Sequence, residues 1–445
     1  MSDASNPKFI IVGGGPGGAL AAAYLGKAGH QVEVYEMRDD LRASDAPGGR
    51  SINLALSHRG LCALDRVGLA DKVLASAVPM PGRMIHAIDG TTSFQPYGRD
   101  RTQAINSVSR AGLNRLLLEA ADQFDSVSLF FNRKCTDVDI DAATINLLDT
   151  KTQARSTVRG DIILSADGAF SVVRRAMQRR DRFDFRQDYL AHGYKELSIP
   201  PGPGGTHRIE KNALHIWPRR SFMMIALPNE DGSFTCTLFW PFEGPHGFDA
   251  VKTESDLLNV FETYFPDAME HLPTLVEDYF DNPVGALATI RSSPWYVAGR
   301  LVMLGDACHA VVPFYGQGMN AAFEDMLVLD ECMSRHKPDW HRAFATYHQL
   351  RKANVDALAD LAISNFVEMR DRTGSRWFLL RKKVDRILHR LLPRWYIPLY
   401  SMATFTRMPY TQAVKRAKTQ DRFVLAFVIL SLVGILGFAA VQLRM

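Results

Sequence analysis

The residues with the clearest potential for chemistry lie in the segment 301–325, where an apolar run, a glycine-containing loop and a new helix follow one another. The apolar run predicts a buried strand that ends at Gly305 and Asp306. A helix is predicted to begin near Met319, after the loop. Unpaired N–H groups and the helix dipole favour negative charge at such a helix start. The segment therefore indicates a site for an anionic or electron-accepting group, with an ordinary strand–turn–helix connection as the alternative.

A second glycine-rich stretch, residues 13–18, has the sequence GGGPGG and follows a short apolar run. An alanine-rich helix comes next, and the strand after it, 31–35, ends at Glu36. Glycines in this pattern permit a tight turn, a close approach of the backbone to a pyrophosphate and close packing of helix on strand. The Glu36 carboxylate can accept hydrogen bonds from a ribose 2′-hydroxyl, which favours NAD or FAD over NADP. The stretch predicts a dinucleotide site.

The elements that must position these motifs alternate between helices and strands. The helix 111–124 begins after Arg110 and has leucines at helical spacing. The apolar strand 161–165 ends at Asp167 and Gly168. Strands that alternate with helices predict a Rossmann-like α/β domain.

From about residue 184 to 287 the composition changes to aromatic, extended runs separated by Pro and Gly turns, which predicts an antiparallel sheet. A hairpin predicted around Asp89 and Gly90, with Arg83 and Tyr97 beside it, is assigned to the same sheet domain. The predicted fold class is α/β, with a Rossmann-like nucleotide-binding domain, an inserted antiparallel-sheet substrate domain, C-terminal helices and one C-terminal transmembrane helix. The predicted divisions are 1–183 with 285–345 for the discontinuous nucleotide-binding domain, 184–284 with the hairpin 83–98 for the substrate domain, 346–420 for a helical region and 423–442 for the anchor.

The composition excludes some classes of function. The chain has 445 residues and a formal charge of +4, and its length predicts two closely packed domains. No long basic run with interleaved aromatic residues is present, so nucleic-acid binding has little support. The five cysteines are scattered and form no CxxC pair, which indicates a reducing compartment, no disulfide framework and no metal site. The polar N-terminus predicts no signal or transit peptide.

The C-terminal part predicts contact with a membrane. Residues 423–442 carry no charge, and as a helix they are long enough to cross roughly 30 Å of hydrocarbon. Four basic residues lie between 415 and 422, whereas only Arg444 follows, so the catalytic part is expected on the cytoplasmic side. The membrane would be the mitochondrial outer membrane in a eukaryote and the inner membrane in a bacterium. A basic amphipathic helix at 376–391 either lies on the membrane surface or has a solvated basic face over a core stripe.

Three motifs in their order and spacing resemble those of the class A FAD-dependent aromatic hydroxylases. They are GGGPGG followed by Glu36, SADGAFSVVR at 165–174 and GDACHAVVPFYGQGMNAAFED at 305–325. The resemblance implies that FAD is bound and that NADPH docks transiently, without a Rossmann domain of its own. The cofactor residues that it implies, together with those of the glycine pattern, are Gly13, Gly15, Gly18, Glu36, Arg38, Arg110, Asp167, Gly168, Asp306, Gly318, Met319 and Asn320.

Within this class the chain most resembles the members that hydroxylate L-kynurenine, over nearly its whole length. The segments that carry this likeness are RSINLALS at 50–57, GRMIH at 82–86, QPYGRD at 95–100, HGYKEL at 192–197, NALHIWP at 212–218, IALPN at 225–229, PFYGQGMN at 313–320, NFVEM at 365–369 and YSMATFTRMPY at 400–410. The resemblance implies that L-kynurenine, NADPH and O₂ are consumed to give 3-hydroxy-L-kynurenine, in tryptophan catabolism towards NAD. Membrane lipid is a further expected partner, through the C-terminal helix.

The resemblance also implies which residues bind the substrate. Arg83, Tyr97, Asn365 and Tyr400 would hold the amino-acid end, and Phe239, Phe314 and Tyr315 would line the aromatic ring. Relatives usually have His or Phe at the position of Tyr315, which leaves the fine substrate selectivity open. No catalytic acid, base or nucleophile is predicted, because the flavin performs the oxygen chemistry in this class. The alternatives are a hydroxylase of another amino-aromatic or phenolic acid, a membrane-tethered flavin dehydrogenase, and a tethered FAD-binding protein without turnover.

Overall fold

A parallel sheet forms the first layer of the protein, which a computed structural model describes for residues 6–43, 53–98, 103–368, 384–385 and 387–442. Its strands are β1 (Phe9–Val12), β2 (Val32–Tyr35), β8 (Val127–Phe130), β12 (Ile162–Ser165), β18 (Tyr296–Val297) and β19 (Leu301–Met303). The spatial order is β18-β19-β12-β1-β2-β8, and only the pair β18–β19 is antiparallel. Continuous apolar strands suit a sheet that is covered on both faces. The predicted Rossmann-like α/β fold is confirmed.

A larger sheet forms the second layer. Its strands are β5 (Gly82–His86), β6 (Thr92–Pro96), β13 (Asp184–Ile199), β14 (Leu214–Arg219), β15 (Phe222–Pro228), β16 (Phe234–Pro241) and β17 (Gly285–Ser293). The order is β17-β13-β16-β15-β14-β5-β6, and only β14 and β5 are parallel. The hairpin β5–β6 therefore extends this sheet, and Gly90 takes the positive φ of 79° that its turn requires.

Two small antiparallel sheets flank these layers. One consists of β3 (Leu54–Leu56), β7 (Ile105–Val108) and β4 (Val78–Met80), and the other of β11 (Arg155–Arg159), β10 (Thr144–Asp149) and β9 (Arg133–Asp139). The helices are α1 (Pro16–Lys27), α2 (His58–Arg66), α3 (Ala70–Ala75), α4 (Arg110–Asp122), α5 (Val172–Met177), α6 (Glu254–Tyr264), α7 (Pro266–Met269), α8 (Leu275–Asp281), α9 (Gly318–His336), α10 (Trp340–Val367), α11 (Leu399–Phe405) and α12 (Tyr410–Gln442). Single 3₁₀ turns at Gly305–Ala307 and Pro313–Tyr315 lie in the loop between β19 and α9.

Two large hydrophobic cores and one small cluster are found among the described residues. The larger core surrounds the parallel sheet, where Phe9 and Leu164 are fully buried. The second lies between the seven-stranded sheet and α6 to α8, and Trp217, Trp240 and Phe261 fill it. Because side chains alternate along a strand, the other face of the seven-stranded sheet is free to line a cavity.

The predicted transmembrane anchor at 423–442 is wrong, because no helix within the described part of the chain is both long enough and apolar enough to cross a membrane. The prediction rested on the uncharged run 423–442 and on the basic residues that precede it. That run belongs to α12, which begins at Tyr410 and has Lys415, Arg416 and Arg422 in its first half. The predicted membrane localisation is wrong for the same reason, and the partnership with lipid loses its support. Most of the predicted basic helix 376–391 lies outside the described residues.

Candidate active site

A cavity of about 880 Å³ lies between the parallel sheet and the seven-stranded sheet. This volume is within the range of pockets that bind cofactors and other small molecules. The glycine-rich turn after β1 lines one end, and β5, β15, β16 and α11 line the other. The predicted site residues that line it are Gly13, Gly15, Glu36, Arg38, Arg83, Arg110, Asp167, Gly168, Phe239, Asp306, Phe314, Tyr315, Gly318, Met319 and Tyr400. The structure thus brings most of the predicted cofactor and substrate residues to one continuous cavity, whereas Gly18, Tyr97, Asn320 and Asn365 do not line it.

The turn after β1 can be built only from glycine at two of its positions. Gly13 has a φ of 99°, and a Cβ there would lie 2.6 Å from the carbonyl oxygen of Ala166. A Cβ on Gly18, which faces the protein interior, would lie 1.9 Å from the Gly13 carbonyl oxygen. By contrast, the nearest atom to a Cβ on Gly15 would be Arg38 Nη2, 3.9 Å away. The turn therefore presents bare backbone to the cavity at Gly15 and packs α1 against β1 at Gly18.

Glu36 is fixed at the end of β2 with its oxygens already engaged. It accepts hydrogen bonds from the backbone N–H of Gly14 at 2.8 Å and from Arg38 Nε at 2.7 Å. Burial alone would raise the pKa of Glu36, but the hydrogen bonds and charge of Arg38 and the Gly14 N–H together hold the pKa below its ordinary value. Glu36 is therefore an ionised acceptor at neutral pH, oriented at the cavity edge.

Asp167 links the end of β12 to the start of α5. Its carboxylate accepts hydrogen bonds from Ser165 Oγ at 2.6 Å and from the backbone N–H of Val172 at 2.7 Å. Gly168 follows with a φ of 77° and open space around the position of a Cβ. The pair lines the cavity with a fixed carboxylate and a stretch of backbone free of side chain.

Sequence reasoning missed two side chains that hold the cofactor-side loops. Arg174 donates to the carbonyl oxygens of Ala169 at 2.5 Å and Ala307 at 2.8 Å, so it ties the loop after β12 to the loop after β19. Asn114 on α4 donates to the carbonyl oxygen of Gly14 at 3.2 Å and so supports the glycine-rich turn. The motif that ends in Arg174 was visible in the sequence, but its partners were not.

Asp306 extends from the loop after β19 into the cavity. Desolvation raises the pKa of Asp306, although the charges of His309 and Arg110 act in the opposite direction. The neighbouring Gly305 N–H donates to Asp325 Oδ2 at 3.1 Å, which fixes the backbone from which Asp306 projects. A carboxyl group in this state is suited to hydrogen bonding with hydroxyl groups of a ligand.

At the opposite end of the cavity, Arg83 lies among tyrosines. Its Nε donates to the Tyr97 hydroxyl at 3.4 Å, and its guanidinium carbon lies 4.8 Å from the centre of the Tyr400 ring. The rings of Tyr97 and Tyr400 stack with their centres 5.1 Å apart. Within the described part of the chain, no carboxylate lies at ion-pair distance from Arg83. The guanidinium therefore presents a positive charge to the cavity that a ligand anion can balance.

Aromatic rings form the wall next to this cluster. The Phe314 ring lies 4.8 Å from the Phe239 ring and stacks on the Phe366 ring at 4.1 Å. Tyr315 lies beside Tyr400, with ring centres 5.5 Å apart. Burial raises the pKa of Tyr315, so its hydroxyl stays protonated at neutral pH and can donate a hydrogen bond.

Two predicted site residues have side chains that bind the protein itself. Asn320 accepts from the backbone N–H of Ser57 at 2.8 Å and donates to the carbonyl oxygen of Gly316 at 2.9 Å. Asn365 donates to the carbonyl oxygen of Phe314 at 2.6 Å. Both are buried and neither lines the cavity, so the structure places them behind the loop between β19 and α9.

A buried ionic network lies beneath that loop. Asp325 accepts from Arg351 Nε at 2.7 Å, from His309 Nε2 at 2.5 Å and from the Gly305 N–H. Arg351 also donates to Glu324 Oε2 at 2.5 Å. All four side chains are buried, and each has a hydrogen-bond partner inside the protein.

Replacing Asp325 by asparagine is expected to lower the free energy of unfolding by about 3–5 kcal/mol, because Arg351 would remain buried and partly unpaired. The pKa of Asp325 is lowered in the folded protein, by His309 and Arg351 against the effect of burial. Its stabilising effect is therefore present above the unfolded value of roughly 3.9 and is lost as the pH falls below it. Urea unfolding at neutral and acid pH measures both effects.

The control is Asp330→Asn on the same helix. Asp330 lies 3.4 Å from the half-exposed Arg66, and burial raises its pKa, so loss of its charge should cost less than about 1 kcal/mol. Equal losses in the free energy of unfolding for the two variants would show that the buried Asp325 network stabilises the protein no more than the Asp330–Arg66 pair does.

The chain is similar to known proteins over most of its length. A family model described as an FAD binding domain matches residues 7–194 and 288–362. The kynurenine 3-monooxygenase of Myxococcus xanthus is 45% identical, over 95% of this chain and 91% of that protein. The kynurenine 3-monooxygenase of Sus scrofa is 41% identical, over 95% of this chain and 89% of its own.

Among solved structures, the tetrameric form of 2-methyl-3-hydroxypyridine-5-carboxylic acid oxygenase is similar with a TM-score of 0.67. The match covers 84% of this chain and 95% of the other, at 21% sequence identity. At this identity the likeness shows a shared fold.

Proposed function

This chain belongs to the kynurenine 3-monooxygenase family, and we propose from that membership that it inserts one oxygen atom of O₂ into the ring of L-kynurenine. FAD is the bound cofactor, NADPH is the electron donor and 3-hydroxy-L-kynurenine is the product. The observation that carries the proposal is that one continuous cavity runs from the glycine-rich turn to Arg83. It allows a dinucleotide at one end and an amino acid at the other.

The residues at the first end fit FAD. Bare backbone at Gly15 allows a pyrophosphate to approach, and Glu36 is an ionised acceptor for ribose hydroxyls. Asp306 is suited to hydroxyl groups of the ribityl chain. The other residues proposed to hold the cofactor are Gly13, Gly18, Arg38, Arg110, Asp167, Gly168, Gly318, Met319 and Asn320. When bound, FAD supplies the redox chemistry, taking electrons from NADPH and passing them to O₂.

At the second end, Arg83 is proposed to bind the substrate carboxylate. A guanidinium offers two parallel donors that match a carboxylate, and this one has no carboxylate partner of its own among the described residues. Tyr97 and Tyr400 would add neutral hydrogen-bond donors, because both lie against the guanidinium. Asn365 is proposed to act here as well, through its support of Phe314.

The aromatic wall is proposed to hold the substrate ring and exclude water. Phe239, Phe314 and Tyr315 lie on the cavity surface next to Arg83. A dry, apolar surround protects reactive species from water, and the wall fixes the ring relative to the cofactor end. The amino group of the substrate supplies the electron density that the ring needs to accept oxygen.

We also propose that residues 184–284 with the hairpin 83–98 form a substrate domain, which supplies every strand of the seven-stranded sheet except β17 (Gly285–Ser293). Its support is that β5 pairs with β14, which places Arg83 beside strands of the inserted segment. Residues 1–183 with 285–345 would form the cofactor domain, and 346–420 a helical region that adds Tyr400.

Addition of L-kynurenine is expected to stimulate NADPH oxidation by the FAD-loaded protein and to give a product heavier by one oxygen atom. The measurement is NADPH absorbance together with mass analysis in ¹⁸O₂, because the added oxygen comes from O₂. A matched compound that lacks the α-carboxylate should stimulate oxidation far less, since Arg83 would have no anion to bind.

Other results would replace the proposal. Stimulation by a phenolic or other amino-aromatic acid, but not by L-kynurenine, would make the chain a hydroxylase of that acid. Substrate-linked flavin reduction without ¹⁸O in the product would indicate a dehydrogenase.

A further inference from the structure

Arg59 on α2 is buried with its guanidinium fully engaged. It is 1% exposed, and its Nη1 donates to Glu324 Oε1 at 2.8 Å. Its Nε donates to the Ala403 carbonyl oxygen at 2.8 Å, and its Nη2 donates to that of Met408. The guanidinium also lies 4.0 Å from the centre of the Tyr410 ring. One side chain thus joins α9 to the end of α11, the turn after it and the start of α12.

One of the two carbonyl acceptors belongs to the short helix α11, and the other to the connection that follows it. The last carbonyl groups of a helix have no N–H donors within the helix, and an arginine near the C-terminus can donate to them. Ala403 lies in the last turn of α11, and Met408 lies in the connection between α11 and α12. Arg59 therefore sets where α11 ends relative to α9.

The same helix carries a residue of the candidate substrate site. Tyr400 lies about one turn before Ala403, and its ring packs against the guanidinium of Arg83 and the ring of Tyr97. A shift of α11 would displace Tyr400 from this cluster.

On its other side, Arg59 connects to the cofactor end of the cavity. Glu324 accepts from both Arg59 and Arg351, and Arg351 also binds Asp325. Asp325 in turn accepts from the N–H of Gly305, the residue before Asp306. A continuous chain of buried, charge-assisted hydrogen bonds therefore fixes α11 and the cofactor loop to the same helix.

We propose that Arg59 is a positioning residue for substrate binding, which acts through α11 to hold Tyr400 against Arg83. This inference rests on the proposed function, because it assumes that the Arg83–Tyr97–Tyr400 cluster binds the substrate. Arg59 itself does not line the cavity.

The test is Arg59→Lys, which keeps the charge but cannot bind two carbonyl groups and a carboxylate together. We expect the Kd and KM for L-kynurenine to rise about 10- to 100-fold through the displacement of Tyr400, with kcat at saturation and FAD content near wild type. Calorimetric titration of the holoenzyme measures Kd without turnover. Arg66→Lys is the matched control, since Arg66 lies on the same helix, pairs with Asp330 of α9 and is half-exposed.

A double-mutant cycle tests the route through α11. In a Tyr400→Leu background, Arg59→Lys should change Kd little further, because the group that it positions is already gone. Equal effects of Arg59→Lys in both backgrounds would overturn the proposal, as would a loss of FAD or stability with an unchanged Kd.

If Arg59→Lys does not fold, Tyr410→Leu provides a second test, because it removes the ring packed on the Arg59 guanidinium. This variant should also raise the Kd for L-kynurenine, and an unchanged Kd would overturn the proposal. A wild-type holoenzyme that does not bind L-kynurenine would instead refute the proposed function.

Discussion

Replacing Arg83 by methionine is expected to weaken L-kynurenine binding by about 2–5 kcal/mol, because the variant removes one partner of an ion pair formed inside a cavity. Methionine keeps much of the length of the arginine side chain, so the loss of binding free energy measures the contribution of the guanidinium charge and its hydrogen-bond donors. The effect should appear as a raised KM and a raised Kd, measured by steady-state kinetics and calorimetry. The NADPH-dependent steps in the absence of substrate should change little.

The stability of the substrate-free protein provides the control. Arg83 contacts Tyr97 and Tyr400 but has no carboxylate partner among the described residues, so Arg83→Met should leave the free energy of unfolding unchanged or raise it. Arg83→Lys should weaken binding less than Arg83→Met, since it keeps the charge and loses the fork of donors. A KM that is unchanged in Arg83→Met would remove this residue from the substrate site.

Gly18→Ala is expected to abolish FAD retention and to cost more than about 4 kcal/mol of stability. The added Cβ would lie 1.9 Å from the carbonyl oxygen of Gly13, and since the blocking atom is backbone, α1 must move away from β1. The turn would then lose the form in which Gly15 lines the cavity. The ratio of flavin absorbance to protein absorbance and the urea midpoint measure the two losses.

Gly112→Ala separates this steric effect from the general effect of adding a methyl group. Gly112 lies in the first turn of α4, where a Cβ would meet only Ser109 at an ordinary distance of 3.5 Å. That substitution should keep FAD and raise stability by about 0.4–1 kcal/mol. Full FAD occupancy in Gly18→Ala would refute the role assigned to the turn.

Features that depend on nearby residues could be predicted from the sequence. The strand β1, the turn after it and Glu36 follow from the spacing of glycines and apolar residues within one βαβ unit. The hairpin β5–β6 follows from Asp89 and Gly90, which favour a tight turn. In these cases the interacting chain segments follow one another in the sequence, so the local residue pattern determines the structure.

Features that depend on distant residues could not be predicted. Arg59 and Glu324 are separated by 265 positions, and no local pattern pairs them. The amide of Asn365 binds the backbone of Phe314, a contact that depends on how α10 packs against the loop. The anchor prediction is contradicted, because no helix among the described residues is both long enough and apolar enough to cross a membrane.

The distribution of thiols makes one part of the protein accessible to selective labelling. Four of the five cysteines are buried, and Cys62 on α2 is the exception. Desolvation raises the pKa of Cys62, so little of its reactive thiolate is present at neutral pH. A maleimide should therefore react with it slowly at neutral pH and faster at mildly alkaline pH. Cys62 lies three residues after Arg59 on the same helix, which packs against α11. A fluorophore attached there would report the docking of α11 optically, without any flavin turnover.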